Sequence, residues 1–185
     1  KTAAFRAGGV PVPEHTTTRD LDRLADAIAR TGAERLVVLG DLLHARTSTS
    51  APVRAAFTSF RAAHAELAIV LVRGNHDRTA GDPPAEWRID AVDPGGALGP
   101  FTVLHEPGDE PSDRYDNALA GHIHPAVRLL DPGTRSGVRM PCFWRRSDCL
   151  ILPSFGSFTG THVVRPRRGD AVHVCAGDAV HPIPT

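Results

Sequence analysis

Lysine is nearly absent from this chain: Lys1 is the only one among 21 basic residues, which 21 acidic residues balance. The zero formal charge excludes a whole-molecule field that would draw the protein onto a polyanion, so any phosphate-rich ligand must be held locally. Cysteine is scarce and odd in number. Cys142, Cys149 and Cys175 show no CxxC spacing, which excludes a disulfide framework or a zinc knuckle and leaves buried, inert thiols as the expectation. No apolar run approaches a membrane span; Leu67 to Val72 is typical of the longest. The opening residues resemble neither a signal nor a transit peptide, so a cytoplasmic location without membrane contact is expected. Neither GxGxxG nor GxxxxGK[ST] occurs, which removes the dinucleotide and P-loop readings.

At 185 residues, 41% of them hydrophobic, the chain suffices for one core, and a single domain over residues 1–185 is expected. After a Gly- and Pro-rich opening, Leu21, Leu24, Ala25 and Ile28 fall on one face of a helix capped by Thr17 or Thr18 and stopped by Gly32. Arg35 to Leu39 reads as a buried strand ending at Gly40-Asp41. Pro52 suits the first turn of a second helix with the stripe Val53, Phe57, Phe60 and Ala63. The strand Leu67 to Val72 follows and ends in Gly74-Asn75-His76-Asp77. From residue 88 short strand candidates dominate: Ile89 to Val92, Phe101 to His105, Ala118 to Gly121, Ala126 to Leu130, Val138 to Trp144, Cys149 to Leu152 and Ala171 to Val174, before a Pro-rich tail. Strand-helix units followed by antiparallel strands predict an α/β fold, an αββα sandwich of two mixed β-sheets flanked by helices.

Ten histidines are the more informative count, because several sit beside Asp, Asn or Gly at predicted strand ends. Four motifs stand together: Gly40-Asp41-Leu42-Leu43-His44, Gly74-Asn75-His76-Asp77, Leu104-His105-Glu106 and Gly121-His122-Ile123-His124-Pro125. A carboxylate, an amide oxygen and imidazoles form a mixed oxygen and nitrogen donor set that suits Mn²⁺, Fe or Zn²⁺ better than an oxygen-only Ca²⁺ site. If His122-Ile123-His124 lies on a strand, the two histidines share a face and Ile123 points to the core.

These motifs resemble those of the calcineurin-like metallophosphoesterases, in the order GDxx(D/H), GNH(D/E), H and GHxH. The resemblance implies that Asp41 bridges two metals, that Asn75, His105 and His122 complete the shell of the second, and that His124 belongs to the first. It implies that His76 acts near the scissile phosphate as proton donor or transition-state contact, with Asp77 orienting it, and that a metal-bound hydroxide attacks phosphorus. The runs Lys1 to Pro13, Asp82 to Trp87, Pro141 to Trp144 and Leu152 to Gly160 are similar to the bacterial DNA ligase-associated metallophosphoesterases. That likeness implies a Mn²⁺-dependent DNA phosphodiesterase or nuclease in DNA repair, associated with a DNA ligase, a helicase and an exonuclease. Relatives open with a strand ending in Asp-x-His, and this sequence starts after it. The first strand is therefore expected to be missing; the resemblance implies two ions in the complete enzyme, of which the residues present would hold one.

Two other readings use the same residues: a small-molecule phosphodiesterase of the cyclic-nucleotide type, and a non-catalytic metal-binding repair scaffold. His44 is read as a substrate-side or outer residue, and Arg73 and Arg78, which flank the Gly-Asn-His-Asp loop, as phosphate contacts. His15, His64, His162, His173 and His181 lack such company and are read as surface or packing residues. The arginine runs at 145–146 and 165–168 read as solvated loops. Phe143, Trp144, Phe155 and Phe158 read as core, with base stacking as the sharper alternative.

Overall fold

The computed structural model describes residues 16–108, 117–131, 133–134 and 136–185. The opening run, most of the Gly- and Pro-rich turn at 106–113, and Pro132 lie outside the described residues. The chain divides into two compact units, Lys1–Pro94 with Phe155–Phe158, and Gly95–Ser154 with Thr159–Thr185.

In the first unit, α1 (Thr16–Thr31), β1 (Arg35–Val38), α2 (Ala51–Ala63), β2 (Ala68–Val72), α3 (Asn75–Ala80) and β3 (Ile89–Val92) follow one another. Helix α1 lays Leu21, Leu24, Ala25 and Ile28 against a core of Leu43, Phe57, Phe60, Leu67, Ile69 and Trp87. It ends where expected, at Gly32, whose left-handed φ of 64° lets its N–H reach the Ile28 carbonyl at 2.9 Å. Trp87 fills the floor of this core, stacked on Phe57 with ring centroids 4.3 Å apart. The three strands pair in parallel in the order β1-β2-β3, with Val38 beside Leu71 and Leu71 beside Ala91. Parallel pairing delivers the chain leaving β1 and the chain leaving β2 at the same sheet edge.

The second unit holds β4 (Gly96–Leu98), β5 (Phe101–Val103), β6 (Ala118–Ala120), β7 (Pro125–Leu130), β8 (Gly137–Arg146), β9 (Cys149–Ile151), β10 (His162–Val163), β11 (Ala171–Ala176) and β12 (Ala179–Ile183). Strands β5, β6 and β9 run parallel as neighbours, while β8 runs antiparallel to β7, β9 and β11. Strand β8 is the hub. Its first half, through Pro141, pairs with β7, and from Cys142 onward it pairs with β11 and β9. Two clusters pack here, one on Cys142, Val172 and Val174 and one on Ala118, Ala120 and Ile151; Ile123 and Trp144 touch both.

Three strands and a helix depart from the sequence expectation. Strand β12 replaces the expected Pro-rich tail, because Gly177 at φ 58° opens a tight turn that folds the chain back on β11. Pro182 is tolerated because β12 pairs with β11 alone, and an edge strand can forgo one donor. Strands β4 and β10 were too short to read, and α3 is six residues set by hydrogen bonds made far away in sequence. No described helix is long and apolar enough to cross a membrane.

Arg61 is buried, and its guanidinium donates to the carbonyls of Leu67 at 2.6 Å and Ala65 at 3.1 Å, tying the end of α2 to the start of β2. Burial, reinforced by the charge of Arg88 and opposed by Glu66, lowers its pKa. Arg61→Ala strands those carbonyls and is expected to cost about 2 kcal/mol. Thermal denaturation should show that as a fall of roughly 4–8 °C in Tm, and an unchanged Tm would contradict the assignment. Burial, with Cys175 nearby, pushes the Cys142 thiol up to about 11. In native protein at pH 8 Cys142 should resist iodoacetamide and react only after urea is added, as read by peptide mass; labelling at the rate of a free thiol would refute this.

Candidate metal centre

Two residues beyond β1 the chain turns through Gly40 at φ 92° and Asp41 at φ 57°. Holding a non-glycine residue in the left-handed region costs about 1 kcal/mol or more. What holds Asp41 there is Asp77, whose buried carboxylate accepts the backbone N–H of Asp41 at 2.6 Å, of Leu43 at 2.8 Å and of Gly74 at 2.9 Å. Asp41 answers by accepting the backbone N–H of His76 on Oδ1 at 3.1 Å. The loops after β1 and β2 are thereby clasped together, and Asp41, Asn75 and His76 are brought to one edge. The His76 ring leans on that of His44 with centroids 3.9 Å apart. The Ser48 hydroxyl fixes the backbone of His44 and Ala45, accepting their N–H groups at 3.1 and 3.0 Å.

In the second unit, the parallel partners β5 and β6 end side by side, and the pairing continues one step beyond them. Leu104 donates to Leu119 at 2.8 Å and Gly121 to the His105 carbonyl at 2.9 Å. His105 is buried, and its Nε2 lies 2.9 Å from Nδ1 of His122. Two ligands each about 2.1 Å from one ion and at right angles to each other stand ~3 Å apart, so this spacing fits two imidazoles that share a cation. The far nitrogen of His122, Nε2, faces the Glu106 carboxylate at 3.6 Å. His124 Nδ1 lies 3.1 Å from the Gly160 carbonyl, which can only accept, so Nδ1 carries the proton and Nε2 keeps the lone pair a metal needs. In donor chemistry, the Asp41 carboxylate and the His105 and His122 imidazoles make a set that fits a divalent cation.

The strand geometry expected for His122-Ile123-His124 is corrected. Strand β6 stops at Ala120, and both histidines take left-handed φ values, 62° and 51°. The alternation survives by another route, because Ile123 still packs into both cores while its neighbours turn away. Of the six described non-glycine residues with positive φ, three are Asp41, His122 and His124, so half the strained positions coincide with expected ligands.

Two expected contacts are arranged otherwise. Asp77 was expected to orient the His76 side chain, but its oxygens receive backbone N–H groups, so it positions the loops. Arg73 was expected to touch phosphate, yet its guanidinium grips Asp82 through two hydrogen bonds of 2.8 and 2.9 Å and lies 3.5 Å from Asp93. That pairing raises the pKa of Arg73 and lowers that of Asp82, and it braces the loop after α3 against the end of β3. Arg78, by contrast, is exposed on α3. Sequence reasoning gave no role to Glu106, although an acid beside His105 was a signal, or to Gly160, whose carbonyl no sequence pattern marks.

No protein-family model matches the chain, and no curated protein matches it. Among solved structures, the crystal structure of Pseudomonas putida nuclease MPE is similar, with 40% sequence identity and a TM-score of 0.81, covering 93% of this chain and 81% of that one. At that identity and coverage, with the motif order and the two strand-edge clusters described above, the chain belongs to the calcineurin-like metallophosphoesterases, in the group related to the DNA ligase-associated phosphoesterases, and is a hydrolase of phosphate esters.

Proposed function

We propose that this protein is a metal-dependent phosphodiesterase that cleaves nucleic acid strands, with DNA as substrate and manganese as the metal. The observation that carries the reading is the pair of imidazole nitrogens 2.9 Å apart at the ends of two parallel strands, in a chain 40% identical to a nuclease. In this reading Asp41, Asn75, His105 and His122 hold one divalent cation, and His124 contributes to a second. When bound, such cations neutralise the phosphate oxygens and make water a competent nucleophile near neutral pH.

His76 then delivers a proton to the leaving oxygen. Its backbone is fixed by Asp41 and its ring is supported by His44, which limits how far it can turn from the phosphate. Asp77 acts at a distance by holding both loops in register. Arg78, on the exposed side of α3, meets the strand's phosphate charge. Residues 1–185 act as one catalytic domain. A place in DNA repair beside a ligase, a helicase and an exonuclease, in the cytoplasm, rests on the family resemblance.

With Mn²⁺ at about a hundred times its dissociation constant, binding should stabilise the folded protein by about 2.7 kcal/mol, a rise of several degrees in Tm. His105→Ala should lose that rise together with cleavage of single-stranded DNA and of bis-p-nitrophenyl phosphate. His76→Ala should keep the rise and lose about 10²–10⁴-fold in turnover. Absence of Mn²⁺-dependent turnover on either substrate would end the phosphodiesterase reading, and turnover confined to the small ester would favour a small-molecule enzyme. Asp77→Ala leaves buried N–H groups without acceptors and should cost on the order of 3 kcal/mol, visible as a Tm fall of roughly 6–12 °C. A Tm within a degree of the parent would show that the clasp is not what orders these loops.

A further inference from the structure

The segment from Leu152 to Gly160, between β9 and β10, carries two phenylalanines that the sequence reads as core. Both are instead open to solvent, Phe155 by 48% and Phe158 by 39%. Leaving a phenylalanine ring half open to water forgoes part of its transfer free energy, and here the surrounding backbone is pinned. The Asp20 carboxylate accepts the Ser157 N–H on both oxygens at 3.2 Å and also accepts the Ser157 hydroxyl. Arg23, one turn further along α1, donates to the Phe155 carbonyl at 3.1 Å, and its guanidinium lies over the Phe155 ring at 4.6 Å from the centroid. These partners come from 132 and 137 residues away in sequence, so the loop is docked deliberately onto α1 with its rings facing outward.

We propose that Phe155 and Phe158 form a stacking platform for the bases of a single-stranded nucleic acid; this rests on the nuclease reading above and names residues that hold the strand. Three features favour bases over another occupant. A phenylalanine ring offers a π-face and no hydrogen bond, which serves a strand of any sequence. The cation stacked on Phe155 lies 3.5 Å from the Asp20 carboxylate but keeps a side chain 55% exposed, so its outer side still presents guanidinium N–H groups beside the ring where a phosphodiester runs past its base. Two rings three residues apart are too small an apolar patch for a stable protein interface, which buries roughly 800 Å² per partner.

The test uses fluorescence anisotropy with a labelled single-stranded oligodeoxynucleotide and an abasic strand of equal length, on a His76→Ala background with Mn²⁺ present. The platform predicts that Phe155→Leu and Phe158→Leu each weaken binding of the base-bearing strand about 10- to 100-fold and leave the abasic strand's affinity unchanged. Phe155→Tyr and Phe158→Tyr, which keep the π-face, should bind like the parent. Equal losses on both strands, or leucine variants that bind as the parent does, would overturn the proposal. Failure of the nuclease reading looks different: unsubstituted protein would then leave both strands uncleaved with Mn²⁺, whatever the rings do. Thermal denaturation of the leucine variants should match the parent, since both rings are exposed; if it does not, the tyrosine variants alone decide the matter.

Discussion

One buried carboxylate, that of Asp77, converts two neighbouring strand ends into a single site edge. Its three acceptor bonds to Asp41, Leu43 and Gly74 join loops that are more than thirty residues apart. Hydrogen bonds to an ionised acceptor are about twice as strong as neutral ones, and these are sheltered from water. That surplus offsets the left-handed backbone at Asp41. Because the carboxylate also caps α3, the position of Asp41 and the start of the helix carrying Asn75 and His76 are set together.

The second unit reaches the same end by different means. Here the parallel register of β5 and β6 sets His105 beside His122, backbone pairing continues past both strands, and the Glu106 carboxylate faces His122 across the two loops at 3.6 Å. The cost appears at the next residues, where His122 and His124 take strained conformations and Ile123 anchors the turn in two cores. The Gly160 carbonyl then fixes which nitrogen of His124 can face a metal. Ligand geometry here depends on backbone groups as much as on the side chains that would hold the ion.

Arginine supplies nearly all the positive charge, and three of these residues hold the fold together. Arg61 closes α2 onto β2 from a buried position, and Arg73 bridges two acids that neutralise it. Arg23 docks the Phe155 loop. A sequence with zero net charge thus carries its positive charge as local groups rather than as a whole-molecule field.

The residue order by itself marked the candidate donors, the four motifs and their succession, because glycine before an acid or histidine after an apolar run is a local signal. It also determined α1, α2 and most strands, whose periodicities lie within a few residues. Tertiary structure alone decided which nitrogen of His122 and of His124 faces its polar neighbour, since that depends on partners such as His105 and Gly160 that are distant in sequence. It decided that Asp77 grips backbone and that Arg73 is engaged by acids, two roles a motif cannot distinguish from contact with substrate. It placed Phe155 and Phe158 outside the core, because burial of a ring depends on what the rest of the chain leaves open, and no local pattern encodes that.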